Sequence, residues 1–342
     1  MNATITLHAV IVDARRRLER AGIDPTEAAL DADLLARHAL GGWDQATLIV
    51  NWREPAPTGL VDRFEPLVAR RKRREPLAYI TGHREFWNLE IEVEPGVLIP
   101  RPETELIIEE ALACLTPDSD RRAADTGTAC RAPTALPGDR HVPACPESRL
   151  SAEALAKVEI PNPRSRAVHN AVRIADVGTG SGCLAIALAR SRPAVHVIAT
   201  DVSPAALAVA ARNISRHEVQ DRVTLVNCDL LDATAGPFDV IVSNPPYVPV
   251  ADLASLQPEI LDYEPRLALE AGPDGLDLIR RLVPMAASRL VAGGCLIFEF
   301  GDGQASGVRE IIEAEPLLAV VALREDLAGI PRVAIARRRV GE

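Results

Sequence analysis

Val172–Arg173–Ile174–Ala175–Asp176–Val177–Gly178–Thr179–Gly180–Ser181–Gly182 is the stretch from which the fold is read. Its first half, a short apolar run rich in branched side chains, reads as a buried strand. Three glycines on alternate positions follow, and then a helical pattern over 183–190. Glycines at a strand-to-helix turn let the backbone come close to a bound group and aim its N–H donors at it. The next strand, Val195–His196–Val197–Ile198–Ala199–Thr200, ends at Asp201, and a third, Val223–Thr224–Leu225–Val226–Asn227–Cys228, ends at Asp229. An acid closing the second strand, about 20 residues beyond the glycines, is where a ribose diol is held in dinucleotide-type sites. Gly180-x-Gly182-x-x-Ala185 also fits the loose dinucleotide fingerprint, a pattern too common to name a ligand by itself.

A fourth strand is read in Phe238–Asp239–Val240–Ile241–Val242–Ser243–Asn244–Pro245–Pro246–Tyr247, where two prolines stop the apolar run. Asn244 therefore stands at a strand's carboxyl end, the edge at which open α/β sheets bind ligands. It offers an amide carbonyl and an NH2, while Pro245 and Pro246 keep their carbonyls but have lost their N–H groups. Tyr247 adds a flat ring. A planar NH2, on an amide or a nucleobase, is a poor nucleophile because its lone pair is delocalised. Two acceptors holding both of its N–H bonds would orient the nitrogen and stabilise the positive charge that develops on attack. An isolated Asn-Pro more often marks only a turn. The glycine motif upstream is what favours the chemical reading here.

Asp-Val-Gly-Thr-Gly-Ser-Gly at 176–182, then Asp201, Asp229 and Asn-Pro-Pro-Tyr, resemble an S-adenosylmethionine-dependent methyltransferase of the amino-methylating group. Further stretches narrow this: Arg74–Glu75–Pro76–Leu77–Ala78–Tyr79–Ile80–Thr81–Gly82, Arg84–Glu85–Phe86–Trp87, Leu98–Ile99–Pro100–Arg101–Pro102–Glu103–Thr104–Glu105 and Asp326–Leu327–Ala328–Gly329–Ile330–Pro331–Arg332. With them the chain resembles the peptide chain release factor glutamine N5-methyltransferases, over nearly all of its length except about 117–171. The resemblance implies methyl transfer from S-adenosylmethionine to the side-chain amide nitrogen of the glutamine in a release factor's Gly-Gly-Gln loop. By the same resemblance Gly178, Thr179, Gly180, Ser181 and Gly182 wrap the amino-acid part of the cofactor, Asp201 holds its ribose, and Asp229 with Leu230 its adenine. Asn244 and Pro245 take the substrate amide's two N–H bonds beside the donor, with Pro246 in the same turn and Tyr247 packing on the amide plane. The plainer reading of Asp201 and Asp229 is capping of the helices that follow, and each can do both.

Composition sets the outer limits. With 342 residues, 47% of them hydrophobic, the chain can form two compact domains. It has no run of 18 apolar residues, and Asp13–Ala14–Arg15–Arg16–Arg17 stands where a leader would carry its apolar segment, so a cytoplasmic enzyme is expected. Cysteines 114, 130, 145, 183, 228 and 295 lack metal-ligand spacing, and neither a metal nor a disulfide framework is indicated. An amino-methyltransferase acting on an adenine or guanine base of DNA or RNA is the alternative, since the tetrad would hold a base amine equally well. Against it stand the net charge of −10 and an aromatic content of 3%, so direct nucleic-acid binding is not expected. A nicotinamide oxidoreductase would leave Asn-Pro-Pro-Tyr unexplained, and a cofactor-binding regulator would leave it idle. The expected partner is a release factor, met by a monomer.

The expected architecture is α/β, a doubly wound seven-stranded methyltransferase sheet with a small N-terminal helical domain. Residues 1–75 form that helical, substrate-recognising domain. Thr6 caps its first helix; Asp24–Pro25–Thr26–Glu27 starts a second, with Leu30, Leu34 and Leu35 as its apolar face; Pro66 ends or kinks a third over 58–74. The basic run Arg70–Arg71–Lys72–Arg73–Arg74 steers a partner or, more plainly, is a solvated helix end. Residues 76–100 read as a hairpin linker and 101–342 as the methyltransferase domain, with a largely disordered insertion at 117–170 and a short helix at 151–158. Thr104 is read as the cap of a helix over 105–114, while Arg101 and Glu103 either help close the cofactor site or only shape the turn. Beyond the tetrad, 258–269 passes over the active edge as a loop, 276–292 and 308–314 are helices, and 295–301, 319–323 and 332–337 are strands, one of them antiparallel.

Overall fold

In a computed structural model the chain is described over residues 5–115 and 171–341; the expected insertion at 117–170, with its short helix, lies outside them. Seven strands form one sheet: β3 (Val172–Val177), β4 (Val195–Asp201), β5 (Val223–Asn227), β6 (Phe238–Ser243), β7 (Leu290–Glu299), β8 (Leu318–Glu325) and β9 (Pro331–Arg338). Their order is β5-β4-β3-β6-β7-β9-β8, with β9 antiparallel to both of its neighbours and the five strands from β5 to β7 parallel. Two further strands, β1 (His83–Phe86) and β2 (Leu89–Glu92), make the expected hairpin, turned at Trp87 and Asn88, both with positive φ.

The parallel strands read as continuous apolar runs because both sheet faces are covered. Ile174, Val240, Val242 and Ile297 point into one core, with Ile107, Ile108 and Leu184. Ala175, Val177, Ile241, Leu296 and Phe298 point into the other, with Ile279, Leu282, Val308 and Ile312. The chain winds outward from β3 to β5, then returns to place β6 on the other side of β3. That reversal opens a crevice at the carboxyl ends of β3 and β6, where open sheets take their ligands. Register carries the placement further. Val177 lies opposite Thr200 and Ser243, Asp201 opposite Asn227, and Ser243 opposite Phe298. The strands therefore stop at nearly one level, and Gly178, Asp201, Cys228, Asn244 and Glu299 share one edge.

Ahead of the sheet lie five helices, α1 (Leu7–Arg20), α2 (Pro25–Ala39), α3 (Gln45–Val50), α4 (Leu60–Lys72) and α5 (Leu77–Thr81). They enclose a separate apolar cluster that includes Leu7, Ile11, Leu18, Leu35, Phe64 and Val68. Thr6 caps α1 by accepting from the Ala9 N–H at 3.3 Å, and Asp24 caps α2, as expected. The face of α2 differs from expectation. Leu30 is 60% exposed and Leu34 half-buried; Leu35 is buried as expected, together with Ala28, Ala32, Ala36 and Ala39, small side chains that let α1 and α4 approach closely. Helix α4 also continues through Pro66. Full burial of Leu60, Phe64 and Val68, worth about 1.5–3 kcal/mol each, outweighs the ~3 kcal/mol that an internal proline costs. Two boundaries shift as well: 77–81 is helical where a linker was expected, and Leu290–Ala292 begin β7 where a helix was expected to continue.

The plain reading of the basic run holds for the exposed Lys72 and Arg73 but is overturned at Arg71. Arg71 is 1% exposed, and its guanidinium donates to Asp31 at 2.6 Å, Glu259 at 2.7 Å and Glu27 at 2.8 Å. Arg74 donates to the other oxygen of Glu259 at 2.7 Å, and the Tyr263 hydroxyl donates to the Arg73 carbonyl at 2.7 Å. The basic end of α4 thus fastens the segment that follows Asn-Pro-Pro-Tyr. Removing one partner of such a buried cluster strands the others, which costs far more than losing an exposed pair. Arg71→Ala is expected to lower stability by ~3–5 kcal/mol, read from the midpoint of urea denaturation.

Candidate active site

A cavity of about 470 Å³ runs along the shared strand edge, within the range of small-molecule sites. Of the residues named from sequence, Gly178, Gly180, Asp201, Asp229, Leu230, Asn244, Pro245 and Pro246 line it. The turn after β3 is folded so that the N–H groups of Gly178 and Thr179 both donate to the Thr200 carbonyl at 2.9 Å. Gly178 and Gly180 adopt φ of +73° and +55°, and nothing lies within 4 Å of where a Cβ would stand, so their backbone is open to a ligand. Asp201 holds this turn in place. Its Oδ2 accepts from the Gly180 N–H at 2.9 Å and its Oδ1 from the Ser203 N–H at 2.8 Å, leaving each oxygen a lone pair. Ser203 itself caps the helix that follows, Pro204–Arg216. Asp229, on the other side of the cavity, accepts from Arg281 at 2.6 Å. Leu230 has φ of +47° and its carbonyl accepts from the Thr200 hydroxyl at 2.8 Å.

Four expected residues stand off the cavity. Thr179 is buried and donates its hydroxyl to Asp176 Oδ2 at 2.6 Å. The Ser181 carbonyl accepts from the Asn213 amide at 2.9 Å. Gly182 is a packing glycine, since a Cβ there would meet the Ala210 side chain at 3.2 Å. Tyr247 turns its ring against Gly301 and donates its hydroxyl to Glu299 Oε1 at 3.0 Å. Neither Arg101 nor Glu103 lines the cavity; Arg101 donates to Glu264 at 2.6 Å, while Glu103 is exposed. As expected, the segment after the tetrad does border the cavity, through Pro265, Leu267 and Ala268.

Thr104 does not cap a helix. It sits in a 3-10 turn (Pro102–Thr104), makes no side-chain cap bond, and donates its hydroxyl to Glu299 Oε2 at 2.7 Å. The Asn244 Nδ2 donates to the Thr104 Oγ1 at 2.9 Å, and the Asn244 Oδ1 has no protein partner among the described residues. Burial pushes the Glu299 carboxyl above its usual range, against the lowering effect of its bonds to Thr104 and Tyr247. Sequence reasoning missed Glu299 and the role of Thr104. The available signal was an acid inside an otherwise apolar strand end, Cys295–Leu296–Ile297–Phe298–Glu299–Phe300. It also missed Gly96–Val97–Leu98 and Arg281, which line the cavity from elsewhere in the chain.

The residues present suit S-adenosylmethionine. The glycine turn offers open backbone to an amino-acid group, and Asp201 has lone pairs free to accept from a diol. The buried Asp176 Oδ1, which has no hydrogen-bond partner among the described residues, is an unmet acceptor next to that turn. Residues 9–82 match the family model of the PrmC N-terminal domain and 163–260 that of the Methyltransferase small domain. The release factor glutamine methyltransferase of Geobacter sulfurreducens is 38% identical over 304 residues, 89% of this chain and 87% of that one. Its counterpart in Bradyrhizobium diazoefficiens is 35% identical over 96% of this chain and 95% of that one, and in Cereibacter sphaeroides 37% over 94% of each. The chain belongs to the release factor glutamine methyltransferases. Its seven-stranded sheet is that of a methyltransferase α/β domain, and S-adenosylmethionine is the methyl donor such an enzyme uses. Among the described residues no helix is long and apolar enough to cross a membrane.

Within this release factor glutamine methyltransferase fold, Asp176 makes a titration visible. Burial pushes its carboxyl up to about 7 from 3.8, outweighing the bonds from Thr179 and from the Ala185 N–H at 3.1 Å. Its contribution to stability is whole below the lower value and is lost as the pH rises through the upper one. Cofactor-free protein should lose ~2 kcal/mol of stability between about pH 5 and pH 8 that Asp176→Asn does not lose, measured by denaturant titration at each pH.

Proposed function

We propose that the protein transfers a methyl group from S-adenosylmethionine to the side-chain amide nitrogen of a release factor glutamine, the one in the Gly-Gly-Gln loop. The observation that carries this reading is that Asn244 and Pro245 line the same cavity as Gly178, Gly180 and Asp201, in a chain of this family. When bound, the cofactor supplies a methyl group already carried on a sulfonium, so no metal or covalent intermediate is called for. The Gly178–Gly180 backbone and Asp201 hold its amino-acid and ribose parts, and Asp229 with Leu230 borders its adenine; Thr179, Ser181 and Gly182 shape the turn from behind.

The chain's own task is at the nitrogen. Asn244 Oδ1 and the Pro245 carbonyl accept the two amide N–H bonds, which fixes the nitrogen lone pair along the line of attack. As the nitrogen–carbon bond forms and the carbon–sulfur bond breaks, those acceptors stabilise the charge that grows on nitrogen. The proton leaves after transfer, once the nitrogen has become acidic. Pro246 keeps the turn stiff, and Tyr247 supports it through Glu299 rather than by stacking on the substrate plane.

In this reading the helices of 1–75 recognise the folded release factor, residues 76–100 link them to the methyltransferase domain of 101–342, and the enzyme works as a monomer in the cytoplasm without binding nucleic acid. The separate apolar cluster of α1–α5 supports such a module. A base amine as substrate is not favoured, given the family and the net charge of −10.

The deciding experiment gives labelled S-adenosylmethionine to the enzyme with purified release factor, its Gln→Ala loop variant, and total RNA and DNA in parallel. Label is expected on the unaltered factor alone; label on nucleic acid alone would overturn the reading. Asn244→Ala should cut turnover by on the order of a hundredfold while cofactor affinity holds. Asp201→Ala should instead raise the cofactor dissociation constant ~10- to 100-fold, as for loss of charge-assisted hydrogen bonds, measured by calorimetry.

A further inference from the structure

The amide of Asn244 has two ends, and only one of them suits the task just described. A carbonyl oxygen turned to the substrate accepts an N–H; an NH2 in its place would meet the substrate's own N–H groups donor to donor. Something must therefore decide which way the amide lies, because its two orientations have nearly the same shape.

The decision follows from counting hydrogens. Glu299 is 1% exposed, sits at the end of β7, and accepts from Thr104 at 2.7 Å and from Tyr247 at 3.0 Å. It makes no ion pair among the described residues; Arg332 and Glu103 act on it only at longer range, with opposite signs. Thr104 donates to one carboxyl oxygen and Tyr247 to the other, so the single hydroxyl hydrogen of Thr104 is committed to Glu299. The Thr104 oxygen is then left with lone pairs alone toward Asn244, 2.9 Å away, and at that distance only the Asn244 NH2 can face it. The carbonyl end is consequently turned away from Thr104. Thr104 is itself buried, 2% exposed, so no water competes for the hydroxyl.

We propose that Thr104 and Glu299 are positioning residues that set the orientation of the Asn244 amide, Glu299 holding the Thr104 hydroxyl hydrogen so that Thr104 holds an Asn244 N–H and leaves Oδ1 for the methyl-accepting nitrogen. This rests on the reading of Asn244 as an acceptor for the substrate amide. It assigns a purpose to a buried carboxyl group that has no counter-ion among the described residues, and to a threonine whose place at a helix start is not used for capping. Tyr247, the second donor to Glu299, belongs to the same chain of bonds and holds the carboxylate from the other side.

The test is kinetic, with full-length enzyme, purified release factor and S-adenosylmethionine. Each variant is first checked for cofactor binding by calorimetry, which also reports that it is folded. Thr104→Val keeps the shape and removes the hydroxyl; it is expected to lower kcat ~10- to 100-fold with the KM for release factor and the cofactor dissociation constant little changed. Thr104→Ser, which restores the hydroxyl, is expected to recover most of the lost rate. In an Asn244→Ala background, Thr104→Val is expected to change kcat by less than about twofold, because a residue that acts through Asn244 has nothing left to orient. Should the valine variant fail to bind cofactor, Thr104→Ala, which adds no bulk, takes its place with the same expected loss. A Thr104→Val enzyme as fast as the unaltered one would overturn the proposal, and so would losses from Thr104→Val and Asn244→Ala that simply multiply. Both outcomes differ from failure of the underlying reading, which would show as an unaltered enzyme that leaves release factor unlabelled or as a fully active Asn244→Ala.

Discussion

Five parallel strands ending at one level, with the winding reversed between β3 and β6, are the constraint on which the site depends. Parallel pairing lets each strand hand its next residues to the same edge, and the reversal leaves that edge uncovered between the two central strands. The glycine turn fills one side of the gap and Asn-Pro-Pro-Tyr the other. Both are braced by bonds that cross strands: the N–H groups of Gly178 and Thr179 on the Thr200 carbonyl, and the Ser243 hydroxyl on the Val177 carbonyl at 2.7 Å. A loop so tied to its neighbouring strand presents its backbone in one conformation, and a preorganised site spends little of its binding energy on ordering itself.

Around that edge the molecule uses buried charge as a fastening. Glu259 is held by Arg71 and Arg74, and Glu264, its side chain nearly inaccessible, by Arg101. These pairs flank the segment that borders the cavity through Pro265, Leu267 and Ala268, and they fix it to α4 on one side and to the 100–104 turn on the other. Buried ion pairs are weak contributors to net stability, because desolvation offsets most of their attraction, but they penalise any arrangement that separates them. Their place here is therefore better understood as setting the position of the segment than as adding to the stability of the fold. Glu299 differs in kind. It takes hydrogen bonds from Thr104 and Tyr247 and has no ion pair among the described residues, and what it gains for the molecule is direction within a chain of hydrogen bonds.

Much of this was legible in the order of residues. Strand ends, the glycine turn, Asp201, Asp229 and the tetrad carry local signals, because a strand, a tight turn and a proline stop are each decided by a few neighbouring residues. The capping of α1 by Thr6 and of α2 by Asp24 is local in the same way. Readings that failed were those in which a distant partner overrode a local preference. Pro66 stays inside a helix because Leu60, Phe64 and Val68 are buried beside it, and Leu30 faces outward because Ala28 and Ala32 pack where leucines would not fit. Arg71, the second of five basic residues in a row, looked solvated because its acidic partner Glu259 lies 188 residues away.

By itself, then, the order of residues determined the sheet, its ligand-binding edge and the residue types that meet there, since these follow from periodicity and short-range turn chemistry. Only the tertiary structure decided which members of each motif reach the cavity: Gly178 and Gly180 do, while Thr179, Ser181 and Tyr247 turn inward. It alone joined Thr104 to Asn244 and Glu299, which lie 140 and 195 residues further along the chain. The physical reason is that hydrogen bonds among buried side chains act over about 3 Å in space, with no limit on separation in sequence, and so leave no periodic trace for local reasoning to find.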